Sequence, residues 1–148
     1  MFAGQNWYAV KDGDIHLRWL LNRHYSARHY KDGRKPKLSA GPGRKLCLLT
    51  NDGLAGFIWR IFICDVIPPQ DGCNCAFFRN EGKQLSSELI LEAEQLALAK
   101  WTDIKRFWTL VDGDKITSVN PGYCFKKAGW KFNAISKTGK IILFKEVK

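Results

Sequence analysis

The chain has 148 residues, of which 45% are hydrophobic, so it is not a disordered chain and suits a single domain over residues 1–148. The formal net charge is +10, from 24 Lys and Arg against 14 Asp and Glu. Such a charge favours DNA or another polyanion as a partner, unless it serves only solubility. No stretch has the pattern of a signal peptide or a membrane span, so we predict a cytoplasmic protein with no membrane partner.

The first predicted elements are a strand and a helix. Residues 6–10 form a short apolar strand, and the turn at residues 12–14 supplies an N-cap for the helix that follows. Ile15, Trp19 and Leu20 recur at helical spacing, and Leu21 widens this apolar stripe. They therefore predict the buried face of that helix.

His24, Tyr25 and Ser26 follow near the end of this helix and are the first catalytic candidates. A histidine transfers protons near neutral pH and also binds metals, and its two neighbours carry hydroxyl groups. The alternative is that His24 only stabilises the C-terminal end of the helix through the helix dipole. Both interpretations stay open at this stage.

Residues 28–45 form a predicted basic loop. The segment is rich in turn-forming residues and has no hydrophobic period, which is typical of an exposed connection. Its cations can contact DNA phosphates, or the loop can simply be solvated. The candidate nucleic-acid-binding residues are Arg28, Lys31, Arg34, Lys35, Lys37 and Arg44.

Two strands joined by a hairpin are predicted next. Residues 46–50 and 54–63 are apolar runs, and residues 51–53, Asn-Asp-Gly, are a strong hairpin signal between them. Gly56 within the second strand predicts a bulge at that position. The prolines and the glycine of residues 68–72 then end this unit.

A polar loop between a buried strand and a long helix is the strongest functional signal. Residues 73–78 predict the strand and residues 87–101 the helix, so the positive end of the helix dipole faces the loop. Backbone amide groups there can hold a phosphate, and the two serines at the helix start are predicted N-cap residues. Arg79 can pair with that phosphate, or it can merely cover the surface. The candidate cofactor-binding residues are Phe78, Arg79, Asn80, Gly82, Ser86 and Ser87.

A second apolar strand, residues 106–112, ends in Asp112. Its carboxylate would lie at the carboxyl edge of the sheet, where open α/β sheets bind ligands, or it is an ordinary turn aspartate. Residues 120–130 predict a helix with Asn120 as its cap. Tyr123 in that helix is either a proton donor or a core aromatic. Two further strands close the chain.

This order of elements resembles the GNAT acyltransferase superfamily over nearly the whole chain. That family holds the pyrophosphate of acyl-coenzyme A in a loop of the pattern Arg/Gln-x-x-Gly-x-Gly/Ala; Arg79 and Gly82 match it, whereas Gln84 replaces the small residue. The resemblance implies a mixed α+β fold with six or seven mostly antiparallel strands, flanking helices and splayed central strands that admit the donor. The donor would be acetyl-coenzyme A or another phosphate-bearing acyl or aminoacyl compound. Phe125 occupies the position of the family's tyrosine acid.

Three shorter patterns are similar to the Mom proteins of Mu-like phages, a branch of that superfamily. The patterns are His24-Tyr25-Ser26, Arg79-Asn80 followed by Ser86 or Ser87 and an Ala/Leu-rich helix, and a strand ending in Asp112-Gly113 before a Gly-Tyr helix. They imply transfer of a glycine-derived group to the adenine amino nitrogen of phage DNA in a bacterial or phage-infected cell. Two alternatives remain open: a coenzyme A-dependent N-acetyltransferase for a small or protein amine, and a non-catalytic nucleic-acid-binding module. Participation of a metal also stays open.

Overall fold

The computed structural model describes residues 5–22, 43–63, 66–113 and 122–147. Within these ranges, seven strands and three helices follow one another along the chain. The strands are β1 (Trp7–Val10), β2 (Arg44–Thr50), β3 (Ala55–Ile61), β4 (Cys73–Asn80), β5 (Arg106–Val111), β6 (Lys131–Ile135) and β7 (Ile141–Glu146). The helices are α1 (Ile15–Asn22), α2 (Ser86–Lys100) and α3 (Tyr123–Lys127).

The strands form one open sheet in the order β1-β2-β3-β4-β5-β7-β6. Neighbouring strands are antiparallel except β4 and β5, which are parallel because α2 connects them as a crossover. The predicted mixed α+β class with six or seven mostly antiparallel strands is confirmed, at seven strands and three helices in the described part of the chain.

The parallel pair β4–β5 lies at the centre of the sheet and is short. Its residue pairs are Cys73↔Phe107, Asn74↔Trp108 and Cys75↔Thr109. Beyond the last of them, β4 continues to Asn80 alongside β3, and β5 continues to Val111 alongside β7. We call the pair Cys75–Thr109 the separation point.

A bulge in β4 lies next to the separation point. Ile58 of β3 pairs with Phe77 and Trp59 pairs with Cys75, so Ala76 is one extra residue on β4. A bulge bends its strand and increases the local twist. The irregularity therefore occurs where β4 stops pairing with β5.

Gly56 lies in a regular part of β3, so the bulge predicted at this residue is wrong. Its missing side chain instead lets α1 approach the sheet, since a Cβ atom built on Gly56 would lie 2.7 Å from Leu17 Cδ1 and 3.1 Å from Leu20 Cδ1. Leu17 and Leu20 are fully buried, whereas Ile15 and Trp19 are 54% and 51% exposed. The helix was predicted correctly, but two of the four residues predicted for its buried face, Ile15 and Trp19, are exposed, whereas Leu20 is buried and Leu21 is partly buried against the core.

Different helices cover the two faces of the sheet. Leu17 and Leu20 of α1 pack on one face, in a cluster with Phe77 and other residues of β2, β3 and β4. α2 and α3 lie on the other face, which carries the larger, aromatic-rich core. Buried indoles tie strands to α2 there: Trp7 Nε1 and Trp59 Nε1 each donate a 2.8 Å hydrogen bond to a backbone carbonyl of that helix.

None of the helices in the described ranges has the length and apolar composition needed to cross a membrane.

Candidate functional site

The C-terminal ends of β4 and β5 form the candidate site. Residues 81–85 lead from β4 into α2, and β5 ends at Val111 near the start of α3. A Cβ atom built on Gly122, the N-cap residue of α3, would lie 3.4 Å from Val111 Cγ2. The ring of Phe125 in α3 stands edge-on to that of Phe78 in β4, with 6.0 Å between the centroids. The loop, both strand ends and α3 therefore meet at one edge of the sheet.

Side-chain hydrogen bonds close the base of this site at the separation point. Thr109 Oγ1 donates to the Cys75 carbonyl at 2.9 Å, and both residues are buried. One residue earlier, Asn74 Nδ2 donates to the Trp108 carbonyl at 3.3 Å. Sequence reasoning did not select Thr109. The available signal was a hydroxyl group in the middle of an otherwise apolar strand, because a buried hydroxyl needs a partner.

The thiols near this edge are poor nucleophiles. Burial raises the pKa of Cys75 far above that of an ordinary thiol, because a thiolate is poorly solvated inside the core. Cys75 Sγ also donates to the Phe77 carbonyl at 3.6 Å. Burial likewise raises the pKa of Cys124 in α3. Both thiols therefore stay protonated near neutral pH, and covalent catalysis by either is disfavoured.

Asn80 organises the loop between β4 and α2. Its Oδ1 accepts a hydrogen bond from the Gly82 amide at 2.9 Å. Its Nδ2 donates to the Gln84 carbonyl at 2.7 Å and to Ser86 Oγ at 3.0 Å. An asparagine side chain that bonds the backbone two residues ahead is a common turn-forming device. One side chain thus sets the path of the chain from the strand into the helix.

α2 begins without a side-chain cap. Its N-cap residue is Leu85, at φ −68° and ψ 127°, and an apolar side chain offers no oxygen to the first-turn amides. The prediction of Ser86 and Ser87 as N-cap residues is therefore wrong, because both belong to the first turn. Ser86 Oγ accepts from Asn80 instead, and Ser87 is buried. The Glu88 amide donates to the Leu85 carbonyl at 3.1 Å, so the amides of Ser86 and Ser87 and the positive end of the dipole are what this turn can offer to an anion.

Arg79 stands at the entrance of the loop in an ion pair with Glu81. The Arg79 Nε to Glu81 Oε2 distance is 2.5 Å, and the side chains are 34% and 25% exposed. The Glu81 amide donates to the Leu54 carbonyl at 2.7 Å, which fixes the loop to the β2–β3 hairpin. Glu81 therefore orients the Arg79 guanidinium and offsets part of its charge toward an anion.

Gly82 and Gln84 lie side by side in the loop. A Cβ atom built on Gly82 would lie 3.1 Å from Gln84 Oε1 and 3.4 Å from Leu54 Cβ. A side chain at position 82 would therefore press on both neighbours. The exposed amide of Gln84 stands beside the backbone at the position where the GNAT pattern has a small residue.

Asp112 and Tyr123 lie on the β5 side of the same edge. Asp112 directly follows β5, and Tyr123 is the first residue of α3, whose N-cap is Gly122 at φ 76°. The cap predicted at Asn120 is therefore wrong. Tyr123 is 54% exposed, with Lys127 Nζ 6.0 Å from its ring centroid. The alternative that Tyr123 is a core aromatic is also wrong, because more than half of this residue is exposed.

Phe78 contributes to the wall of the site. Its partly buried ring makes contacts with the rings of Trp7, Phe57 and Phe125, at centroid distances of 6.5, 5.3 and 6.0 Å. These contacts engage its side chain in the core. A contact between Phe78 and a cofactor would therefore come from its backbone.

The remaining candidates divide into two groups. Those outside the described residues are His24, Tyr25, Ser26, Arg28, Lys31, Arg34, Lys35 and Lys37. Arg44 is described, at the start of β2, which is the end of the sheet where β4 begins. Its guanidinium lies 3.5 Å from Asp103 Oδ2 and 6.0 Å from the centroid of Trp101. Arg44 is thus at the opposite end of the sheet from the loop at residues 79–87.

The described ranges contain no group of three or more His, Cys, Asp or Glu side chains arranged to hold a metal ion. Comparison with protein-family models gives no match, and comparison with curated proteins gives none either. A functional assignment therefore depends on the geometry of the site.

Proposed function

We propose that this chain is a group transferase of GNAT-like architecture, which transfers a small acyl or aminoacyl group from a phosphate-bearing donor to an amine. The observation that carries the proposal is the separation of the parallel strands β4 and β5 after three residue pairs. This happens in a sheet whose other neighbours are antiparallel, and next to a helix that starts without a side-chain cap. The donor cleft is the space between residues 76–80 of β4 and residues 110–111 of β5.

The phosphate end of the donor is held by the loop and the first turn of α2. The amides of the first turn and the helix dipole favour a negative charge there, and Arg79 adds a cation next to it. Because Gln84 replaces the small residue of the GNAT pattern, the donor is either acetyl-coenzyme A in a modified loop or another phosphate-bearing compound, such as a charged transfer RNA.

Asp112 and Tyr123 are the proposed proton-handling residues on the β5 side, and His24, Tyr25 and Ser26 are candidates for the same chemistry on sequence grounds. The amine nitrogen attacks the donor carbonyl carbon and loses one proton to a base, for which Asp112 or His24 is suited. The leaving sulfur or oxygen departs and gains a proton, for which the exposed Tyr123 hydroxyl is suited. The adenine amino group of DNA is the proposed acceptor, and the net charge of +10 supports a polyanionic substrate.

Donor binding tests the first half of this proposal. Calorimetric titration with acetyl-coenzyme A and with charged transfer RNA should show binding of one of them, and that ligand should raise the melting temperature. Arg79→Gln should weaken binding about tenfold through loss of a charge-assisted hydrogen bond. Lys105→Gln, an equal change of charge at the exposed residue just before β5, should leave the affinity unchanged. No binding of either compound at high micromolar concentration would remove the transferase proposal.

Product analysis tests the acceptor without any assumption about the donor. The protein is co-expressed with a plasmid, and the DNA is digested to nucleosides for mass spectrometry. We expect an adenosine of increased mass. His24→Ala and Asp112→Asn should each lower the rate at which it forms by a factor of ~10²–10⁴. Unmodified adenosine with a folded, donor-bound wild type would exclude DNA as acceptor and favour a coenzyme A-dependent N-acetyltransferase for a small or protein amine.

A further inference from the structure

Trp19 differs from the other tryptophans of the chain in its exposure. The sequence contains six tryptophans, and five of them are buried, with at most 8% of the residue exposed. Trp19 on α1 is 51% exposed. Tryptophan is highly buried on average, because its indole is a large apolar ring whose burial is favourable. The exposed indole is therefore the one tryptophan of this chain that a partner can contact.

Trp19 belongs to an exposed face of α1 that also carries a second ring. Ile15, one turn earlier, is 54% exposed, and His16 is exposed as well. The His16 ring stands edge-on to the indole, with 5.1 Å between the ring centroids and 86° between the ring planes. Such a neighbour limits the rotamers of the indole, so less conformational entropy is lost when a flat partner stacks on it. We call Ile15, His16 and Trp19 the α1 surface.

The charges near the α1 surface favour a polyanion. Between Asp14 and Asp32 the sequence contains four Lys or Arg residues and no Asp or Glu. Asp14 is engaged in the cap of α1, since its Oδ1 accepts from the His16 amide at 3.0 Å. Asp12 is paired with Lys45, whose Nζ lies 3.2 Å from Asp12 Oδ2. An exposed aromatic ring next to a basic segment is the combination that binds single-stranded nucleic acid, by stacking on bases and by attraction to phosphates.

α1 lies over the end of the sheet that carries the candidate site. Its buried residues Leu17 and Leu20 pack in one cluster with Phe77 of β4. Gly56, which these two leucines approach most closely, pairs with Arg79 at the entrance of the loop. A DNA strand on the α1 surface is therefore held at the same end of the sheet as that loop. An enzyme that modifies a base takes it out of the duplex, so unpaired bases are available to an exposed ring there.

We infer that the α1 surface is a binding site for single-stranded or locally unpaired DNA, in which Trp19 stacks on an unpaired base. The inference rests on the proposed function, in which DNA is the acceptor, and it adds the form of DNA that the protein recognises. Stacking involves the face of a base and not a phosphate. Trp19 therefore contributes to the affinity for DNA but not to the salt dependence of that affinity.

Substitution of the indole tests this inference. Binding of a strand of about ten deoxyadenosines is measured by anisotropy and by tryptophan emission, and stacking should quench the acrylamide-accessible part of the wild-type emission. Trp19→Ala should weaken binding roughly tenfold and leave the salt dependence unchanged. Trp19→Phe keeps a ring and should lose less affinity than Trp19→Ala. Phe132→Ala, which removes a similarly exposed ring from β6, is the matched control and should bind like the wild type.

A strand of the same length with abasic sugars isolates the base contact from the phosphate contacts. The wild type should bind this strand at least roughly tenfold more weakly than the deoxyadenosine strand. Trp19→Ala should lose most of that preference, because the indole that stacks on the base is missing. An equal preference in the two proteins would place the base contact elsewhere and overturn the inference.

The outcomes distinguish this inference from the proposed function. If the wild type binds neither strand, DNA fails as the acceptor and the inference fails with it. If the wild type binds DNA and Trp19→Ala has the same affinity, the inference alone is wrong. It is also wrong if Trp19→Ala abolishes a dimer in sedimentation without changing DNA binding, since the α1 surface then contacts a second copy. Weaker binding with an unchanged salt dependence supports the inference, whether or not group transfer is detected.

Discussion

At the scale of single residues, an ion pair between a buried glutamate and a partly exposed lysine joins α2 to the last strand. Glu94 of α2 is buried, and its Oε1 lies 2.8 Å from Lys145 Nζ. Its Oε2 accepts from Trp130 Nε1 at 3.0 Å, and Lys145 Nζ also donates to the Ala128 carbonyl at 2.9 Å. A buried charge is tolerated only with such partners, so each member of this group depends on the others.

Glu94→Gln tests that dependence. The amide can still accept from Trp130, but the Lys145 ammonium loses its counter-charge. We expect the free energy of unfolding to fall by about 3 kcal/mol, measured by urea denaturation. Glu88→Gln, an exposed position in the first turn of the same helix, should cost less than about 1 kcal/mol. Equal losses for the two variants would mean that the ion pair contributes nothing specific.

Asp52 in the hairpin turn makes a pH-dependent contribution to the stability of the folded protein. Its Oδ1 accepts from the Leu54 amide at 3.0 Å and from Thr50 Oγ1 at 2.8 Å, and these two hydrogen bonds hold the pKa of Asp52 below its usual value. The stabilisation is therefore present above the unfolded pKa of about 3.9 and is lost as the pH falls through the lower, folded pKa.

Asp52→Asn should remove this contribution without changing the shape of the turn. At pH 7 the variant should be less stable than the wild type by only a few tenths of a kcal/mol, since an ionised acceptor is replaced by a neutral one at an exposed position where water screens the charge. The difference should shrink toward zero as the pH falls through the lowered pKa of Asp52. Urea denaturation at several pH values measures it. A difference that does not change with pH would assign the effect to the shape of the turn.

At the scale of secondary structure, the position of α1 is set by a glycine on the strand beneath it. Gly56→Ala places a methyl group 2.7 Å from Leu17 Cδ1 and 3.1 Å from Phe77 Cε2. The buried side chains or the helix that carries two of them must shift, so we expect a loss of about 1–3 kcal/mol in thermal or urea unfolding. Leu17→Ala creates space at the same place. The double variant should therefore lose less than the sum of the single losses, whereas strict additivity would show that the two sites do not interact.

At the scale of the whole molecule, the excess of positive charge should act on DNA through its phosphates. Replacing Arg34, Lys35 and Lys37 by Ala should weaken DNA binding and reduce its salt dependence by about one unit per lost phosphate contact. Fluorescence anisotropy at increasing salt concentration measures both quantities. An unchanged salt dependence would mean that these side chains do not contact the backbone of DNA.

A control variant separates a specific surface from the net charge alone. Lys127, Lys131 and Lys137 are exposed on α3, on β6 and just after β6, and replacing them by Ala removes the same charge. We expect the salt dependence of this variant to stay within about one unit of the wild-type value. An equal reduction in both triple variants would show that DNA responds only to the overall charge.

Short-range patterns were sufficient to predict the order of the elements and the nature of the candidate loop. Asp52 and Gly53 predict the hairpin turn, because Asp52 accepts a hydrogen bond from the Leu54 amide and Gly53 adopts φ 71°. Both features lie within the four residues of one turn. The polar loop after β4 was likewise visible from Asn80 and Gly82, because turn chemistry is local. The separation of β4 from β5 after three pairs was not derivable in this way, because it depends on the pairing of strands that are far apart in sequence.

The sequence by itself thus determined which segments are helices and strands, since hydrophobic period and turn chemistry are local properties. Only the tertiary structure decided which residues those elements bury. Trp19 had the right spacing for the core, yet Leu17 is buried in its place, because Gly56 opens the sheet at that point. Thr109 is part of the candidate site because its hydroxyl group donates to the Cys75 carbonyl at 2.9 Å. Only the folded chain brings these two residues together. Which side chains are buried and which groups form hydrogen bonds are properties of the packed chain, and a pattern along the sequence does not specify them.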